Sequence, residues 1–328
     1  MSTARQVIAL LKSHIEGEEQ QFFTVAMQVA AHEARQGHGK VAEEIRNLVD
    51  QAKDQRSRFV NKQGGPVPLI QPKGDLLNLL SARYSDLRLA DMVLSEKLYE
   101  RLMRVVTEQA NSNLLKEHNL KPRRKLLLVG APGTGKSMTA AAIAGELKLP
   151  LFTVLYEGLF TKFMGETATQ LKLIFEAMSS TRGVYFFDEF DALGSQRSSN
   201  NDVGEIRRIL NSFLQFLEND NSDSLIIAAT NHPDLLDKAL YRRFDDVIQY
   251  ELPSSEVTKK LVQSRLVTFR LDWKIWDGIL EAAAGLSQAE IIRASTEVAK
   301  NAVLEKRKTI LEDELISSIV ERKLMTDW

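Results

Sequence analysis

Two short stretches of this chain carry side chains suited to phosphate chemistry. The first is Gly130-Ala131-Pro132-Gly133-Thr134-Gly135-Lys136-Ser137, with Met138 following it. It fits the spacing G-x-x-x-x-G-K-[ST], provided a strand precedes it and a helix follows. Gly133 and Gly135 can take torsions that turn backbone N–H groups inward around an anion, with no Cβ in the way. The helix behind them points its positive end at the same anion. Lys136 is placed to bridge β- and γ-phosphates, and the Ser137 hydroxyl to ligate Mg²⁺. The plain alternative is a glycine turn with an incidental lysine, and the strand–helix context expected here argues against it.

The second stretch is Val184-Tyr185-Phe186-Phe187-Asp188-Glu189-Phe190-Asp191, which ends an apolar run in carboxylates. Ligands of open α/β sheets lie beyond the strand C-termini, so both leading acids should face the cradle. Asp188 is expected to hold Mg²⁺ through water, and Glu189 to orient and polarise an attacking water. An aspartate alone would support binding; the adjacent glutamate argues for hydrolysis. A guanine site needs Asn-Lys-x-Asp after a later strand. The Asn61-Lys62 pair lies in a Gly/Pro-rich stretch without that aspartate, so ATP is favoured.

Positioning these groups takes a sheet. Strands are predicted at Lys125–Val129, Leu151–Leu155, Val184–Phe187, Leu225–Ala229 and Val247–Leu252, with helical stretches at 136–147, 167–180 and 203–218. That alternation predicts an α/β P-loop fold over residues 76–252, a parallel sheet with helices on both faces. After Pro253 the pattern becomes helical, at Ser254–Phe269, Trp273–Ala283, Ser287–Lys306 and Glu312–Lys323, which predicts a small helical lid over 253–328. Residues 1–58 carry three one-sided apolar stripes and read as a three-helix bundle. Residues 59–75, with Gly64, Gly65, Pro66, Pro68 and Pro72, read as a linker.

Composition narrows the partners. With 43 Lys and Arg against 44 Asp and Glu, the net charge of -1 gives no global field for nucleic acid or anionic membrane. No basic aromatic patch offsets this, so a nucleic-acid loader is disfavoured. Cysteine is absent, which excludes disulfides and thiolate metal sites. The apolar start of the chain is interrupted by Lys12 and His14 and lacks a small-residue cleavage site. No run approaches the roughly 20 apolar residues of a membrane span. A cytoplasmic protein is expected. His32-Glu33 followed by His38 departs from the H-E-x-x-H spacing of a zinc site and is set aside.

Ala228-Ala229-Thr230-Asn231-His232-Pro233, continuing to Tyr241-Arg242-Arg243-Phe244-Asp245, resembles the second region of homology of the AAA family. The resemblance covers roughly residues 76–328. It implies that Asn231 senses the γ-phosphate and positions water, and that Arg242 and Arg243 are arginine fingers reaching a neighbouring subunit. The plain alternatives are a turn residue before Pro233, and arginines paired with Asp245 and Asp246. The two arginines are adjacent, as in the spastin, katanin and vacuolar-sorting branch, and Arg242 is the preferred phosphate contact with Arg243 in support. Gly285-Leu286-Ser287-Gln288-Ala289-Glu290 is similar to the family's lid segment beside the nucleotide, which implies contacts near Gly285 and Ser287. It carries no obvious second-sensor arginine.

The same resemblance implies a homo-oligomer, expected to be a hexamer, that uses ATP and Mg²⁺ to remodel or unfold a protein. Phe163-Met164-Gly165 is similar to the aromatic–hydrophobic–glycine pore loop that grips an extended polypeptide, although Phe160 and Phe163 also share a helical spacing. Asn200–Gly204 reads as a second pore loop, with Glu205, Arg207 and Arg208 as inter-subunit contacts. The N-terminal bundle would recruit the protein substrate, and a subtilisin-like peptidase is one expected partner. The competing reading is an ATP-gated switch or scaffold that regulates an effector such as a protease without threading anything.

Overall fold

The computed structural model describes residues 71–72, 74–159, 166–191, 203–236 and 238–326, with single helical positions at Val29 and Val41. The chain divides into two compact units, Met1–Pro68 and Leu69–Trp328. The predicted bundle of residues 1–58 lies outside the described residues save for those two valines, and so do Phe163, Met164, Gly165 and residues 200–202.

The second unit is built on a six-stranded sheet. Its strands are β1 (Leu80–Arg83), β2 (Lys125–Gly130), β3 (Leu151–Val154), β4 (Val184–Phe187), β5 (Leu225–Thr230) and β6 (Asp246–Tyr250), in the order β1-β3-β4-β5-β2-β6. From β3 to β6 all neighbours are parallel, with Leu127 opposite Ala228 and Phe187 opposite Ala228 from the other side. The sheet is mixed rather than purely parallel, because β1 runs antiparallel along β3. The sequence Leu80-Ser81-Ala82-Arg83 has no β-branched or aromatic residue, and its alternation spans only four positions, too few to announce that strand.

The apolar runs are explained by burial on both faces. Leu126, Leu128, Val184, Phe186 and Ile227 point toward helices α1 (Glu96–Ala110) and α2 (Lys136–Leu147). Leu127, Val129, Tyr185, Phe187 and Ile226 point toward α3 (Glu166–Ser180) and α4 (Val203–Asn219). In α4 the buried residues Ile209, Phe213 and Leu217 recur every fourth position, the stripe a one-sided helix requires. Helix α2 is different. Its run Ala140–Ala144 is buried nearly all round, so small side chains let it lie close to the sheet and fix the end that carries Lys136.

Four helices form the C-terminal part: α5 (Ser255–Arg265), α6 (Asp277–Ala283), α7 (Gln288–Leu304) and α8 (Glu312–Thr326). They close around Leu261, Trp273, Ile279, Ile291, Val298 and Leu315. Two starts are capped by serine: Val257 N donates to Ser254 Oγ and Glu290 N to Ser287 Oγ, each at 3.4 Å. The expectation that no strand follows Pro253 is corrected by a short parallel pair, β7 (Arg270–Leu271) and β8 (Thr309–Ile310). Two residues on each side leave no periodicity to read. No helix among the described residues is long and apolar enough to cross a membrane.

Candidate functional site

Strand β2 ends at Gly130, where β6 passes so closely that a Cβ would lie 2.3 Å from the Tyr250 carbonyl oxygen. The chain then loops through Ala131–Gly135 into α2. Gly133 is needed for two reasons. Its φ is +77°, and a Cβ there would meet Ser287 Oγ at 2.5 Å. The loop is braced from within, since Thr134 Oγ1 donates to the Ala131 carbonyl at 2.8 Å. It is braced from β6 as well: Tyr250 Oη donates to Thr139 Oγ1 at 2.6 Å, and Thr139 Oγ1 donates to the Gly135 carbonyl at 3.0 Å.

Lys136 is buried, and its ammonium donates to the carbonyls of Gly130 at 2.7 Å and Ala131 at 2.9 Å. Burial pulls its pKa below the ordinary lysine range, and the nearby carboxylates of Asp188 and Asp191 offset part of that. Ser137 Oγ donates to Asp188 Oδ2 at 2.7 Å. The P-loop and the end of β4 therefore meet, as the two motifs predict.

The turn after β4 holds Glu189 in a left-handed conformation, φ +48°. A non-glycine residue there costs roughly 1–2 kcal/mol. Its neighbours pin it: Asp188 is tied to Ser137, and Phe190 N donates to the Ala229 carbonyl at 2.7 Å while the Phe190 ring packs against Phe213 and Phe244. The result exposes the Glu189 side chain toward the cavity. Asp191 has a part that sequence reasoning left out. It is buried, accepts from Thr230 Oγ1 at 2.8 Å and from Asn231 N at 3.4 Å, and so fixes the end of β5 that presents Asn231.

A cavity of about 830 Å³ opens between these groups and the lid helices. Pro132–Met138, Asp188, Glu189 and Asn231 line it on one side, and Leu261, Ser264, Arg265, Gln288, Ala289 and Ile292 on the other. Asp91–Leu94, which also line it, are not signalled by the sequence. That segment is extended or 3₁₀, without periodicity. It is held by Leu89 N donating to Glu146 Oε1 at 3.1 Å and by Arg88 on the Gly145 carbonyl. Ser287 lies against Gly133 rather than in the lining, and Gly285, φ +87°, is outside the lining altogether. The lid touches the P-loop directly where Ala289 N donates to the Gly133 carbonyl at 3.0 Å.

Arg242 and Arg243 do not line this cavity. Asp245 accepts from Arg124 N at 2.8 Å and Lys125 N at 2.9 Å, while Asp246 is held by Arg101 and Arg123. Burial alone would raise the Asp246 pKa, and those two guanidinium groups outweigh it and lower it. Both aspartates are thus engaged away from the arginine pair. Arg243 forms an ion pair with Glu218, and the Arg242 side chain is exposed with no hydrogen bond or ion pair among the described residues.

The hydroxyl of Ser137 and the carboxylate of Asp188 are hard oxygen donors side by side. That sparse set suits Mg²⁺, which keeps its waters and takes its remaining ligands from substrate phosphates. A cavity with a phosphate cradle, an oxygen donor pair and a carboxylate beyond it is the site of a nucleoside triphosphatase.

Comparison with known proteins places it more closely. The model of the ATPase family associated with various cellular activities (AAA) matches residues 126–252. The chain is 32% identical over 299 residues to the AAA family ATPase y4kL of Sinorhizobium fredii, covering 90% of this chain and 88% of that protein. It is 36% identical over 222 residues to the proteasome-activating nucleotidase of Sulfurisphaera tokodaii, covering 65% of this chain and 56% of that protein. Among solved structures, the AAA domain of FIGL-1 superposes with a TM-score of 0.60 at 24% identity, over 78% of this chain and 91% of that one, a likeness of fold. The chain belongs to the AAA family and is an ATPase.

Proposed function

We propose that this ATPase works as an oligomer, with Mg²⁺ in its site, to unfold or remodel a protein partner. The observation that carries the reading is the Ser137–Asp188 contact at 2.7 Å with Glu189 next in the chain, at the P-loop end of the cavity. Gly130–Met138 would hold the phosphates, with Lys136 leaving its carbonyl partners for them. Mg²⁺ would be held by Ser137 and Asp188, and when bound it neutralises charge on the β- and γ-phosphates. Glu189 would take the position of base toward the attacking water, and Asn231, fixed by Asp191, would orient that water.

The exposed Arg242 supports catalysis shared between copies. A guanidinium that is unpaired among the described residues and absent from its own cavity is free to serve a neighbour's, which supports this reading. In this reading residues 76–252 form the nucleotide-binding domain, 253–328 the lid that follows nucleotide occupancy, 59–75 a linker, and 1–58 the module that recruits the partner. Phe163, Met164 and Gly165 would grip the extended polypeptide in a central pore. The relative named as a proteasome-activating nucleotidase lends weight to a polypeptide substrate.

The test is imaging of Glu189→Gln with ATP and a fluorescent unfolded polypeptide. Closed rings retaining the polypeptide are expected, with retention lost on adding Phe163→Ala while the rings persist. Rings that bind ATP and never hold polypeptide would leave only an ATP-gated scaffold.

A further inference from the structure

We infer that Tyr241 is a positioning residue for Arg242: its hydroxyl fastens the arginine's turn to the rim of the chain's own nucleotide site, and it serves the neighbouring copy's reaction rather than its own. This rests on the reading above, in which Arg242 acts on a neighbour's nucleotide.

The segment from Asn231 to Asp245 has a fixed start and a fixed end. At its start His232 N donates to Thr230 Oγ1 at 3.0 Å, and the same hydroxyl is held by the buried Asp191. Pro233–Leu235 then form a 3₁₀ turn, closed where Leu236 N donates to the Pro233 carbonyl at 3.1 Å. At its end Asp245 N donates to the carbonyl of Lys125, the first residue of β2, at 2.8 Å. Between these anchors Leu236, Leu240 and Phe244 are buried four residues apart and enter one core.

Apolar contact is non-directional, so that stripe sets the depth of the turn Lys238–Tyr241 better than its rotation. One directional bond supplies the rest. Tyr241 Oη donates to the Pro233 carbonyl at 3.0 Å, which thereby accepts twice, as two lone pairs allow. Burial, with the Asp234 carboxylate nearby, raises the Tyr241 pKa, so the hydroxyl stays a donor. The residue before Arg242 is thus tied two positions beyond Asn231, which lines the chain's own cavity. Arg243 has a tether of its own in Glu218. The Arg242 side chain has none among the described residues, so its aim depends on the backbone beneath it. A misplacement of 1 Å at a reacting centre can cost on the order of 10²-fold in rate.

Tyr241→Phe removes that one bond and keeps the ring. In the full chain it is expected to leave ATP affinity within about twofold of wild type. It should lower kcat about 3- to 10-fold, the worth of one neutral hydrogen bond. Mixing separates a fault in the finger from a fault in the site. Excess Lys136→Ala chains, which cannot hold nucleotide, would border most Tyr241→Phe sites and present them with an intact Tyr241 and Arg242. ATPase per Tyr241→Phe chain should then rise to that of wild type diluted in the same excess. A loss of ATP affinity, or a deficit unchanged in the mixture, would place the fault in the chain's own site and overturn the inference. A wild-type kcat in Tyr241→Phe alone would do the same. Arg242→Ala, run beside it, tests the underlying reading. If Arg242→Ala keeps full turnover, or loses it without recovery in the mixture, the shared-site reading falls and takes this inference with it. If Arg242→Ala is deficient and recovers while Tyr241→Phe behaves as wild type, only Tyr241 is excluded.

Discussion

The hydroxyl of Ser137 donates to the Asp188 carboxylate at 2.7 Å, joining the first turn of α2 to the residue that follows β4. Two oxygens suited to a divalent cation thus satisfy one another, and a cation must compete with that bond. Asp188→Asn keeps the shape and can still accept from Ser137, but removes the negative charge. The variant is expected to bind ATP within a few-fold of wild type in saturating Mg²⁺. Its half-saturating Mg²⁺ concentration should rise at least about tenfold, and turnover should fall about 10²-fold or more. Steady-state ATPase measured across a Mg²⁺ series checks this, and an unchanged Mg²⁺ requirement would remove Asp188 from the metal site.

The buried ammonium of Lys136 gives the site a pH dependence of definite sign. Burial lowers its pKa from the ordinary 10.5, so the free protein reaches the neutral amine at lower pH than an exposed lysine would. A bound polyphosphate favours the charged form. Binding in the alkaline range therefore takes up a proton, and affinity declines as pH rises, by at most about tenfold per pH unit for one linked proton. Calorimetric ADP titrations in buffers of different ionisation enthalpy should show this uptake below the ordinary lysine value. Binding without proton uptake up to that value would contradict the assignment.

Asp191 should matter to stability and to catalysis by separate routes. Asp191→Ala strands the Thr230 hydroxyl and the Asn231 N–H, which it accepts at 2.8 and 3.4 Å. An unsatisfied buried polar group costs about 1–3 kcal/mol. Denaturant unfolding should show a loss of that order, with most of it recovered in Asp191→Asn, which retains an acceptor oxygen. Turnover should fall in Asp191→Ala through misplacement of Asn231. Because Asp191 also raises the Lys136 pKa, Asp191→Asn should move the alkaline loss of affinity to lower pH.

Much of this site is legible in the sequence because its groups are contiguous. The P-loop, the Asp188-Glu189 pair and Asn231 each follow an apolar strand, and parallel pairing brings strand ends to one edge whatever lies between them. The groups that were missed depend on distance in sequence. Asp191 gains its meaning from Thr230, which only the register Phe187 opposite Ala228 brings near. Met92 and Leu94 wall the cavity from a segment with no helical or strand period. Arg265 ends a lid helix where an arginine reads as ordinary solvation of a helix C-terminus, and β1 has four residues of indifferent propensity. Gly285 fits the family segment, and in the fold it makes a left-handed turn before α7, outside the cavity lining.

The two arginines that motif similarity treats as a pair are separated by their partners. Arg243 is held by Glu218, a half-exposed ion pair worth at most about 1 kcal/mol. Arg242 is exposed and unpaired among the described residues. Arg242→Ala should therefore bind ATP as wild type does and lose about 10²-fold or more in turnover, whereas Arg243→Ala should lose less. If Arg242 acts on a neighbouring copy, two inactive chains can complement. Lys136→Ala cannot hold nucleotide but still presents Arg242, and Arg242→Ala holds nucleotide but lacks the finger. Mixing them should restore part of the ATPase, rising with the fraction of mixed oligomers, since some Arg242→Ala sites then border an intact Arg242. Mixed oligomers that form and stay inactive would place Arg242 outside the shared site, and full activity in Arg242→Ala alone would remove it from catalysis.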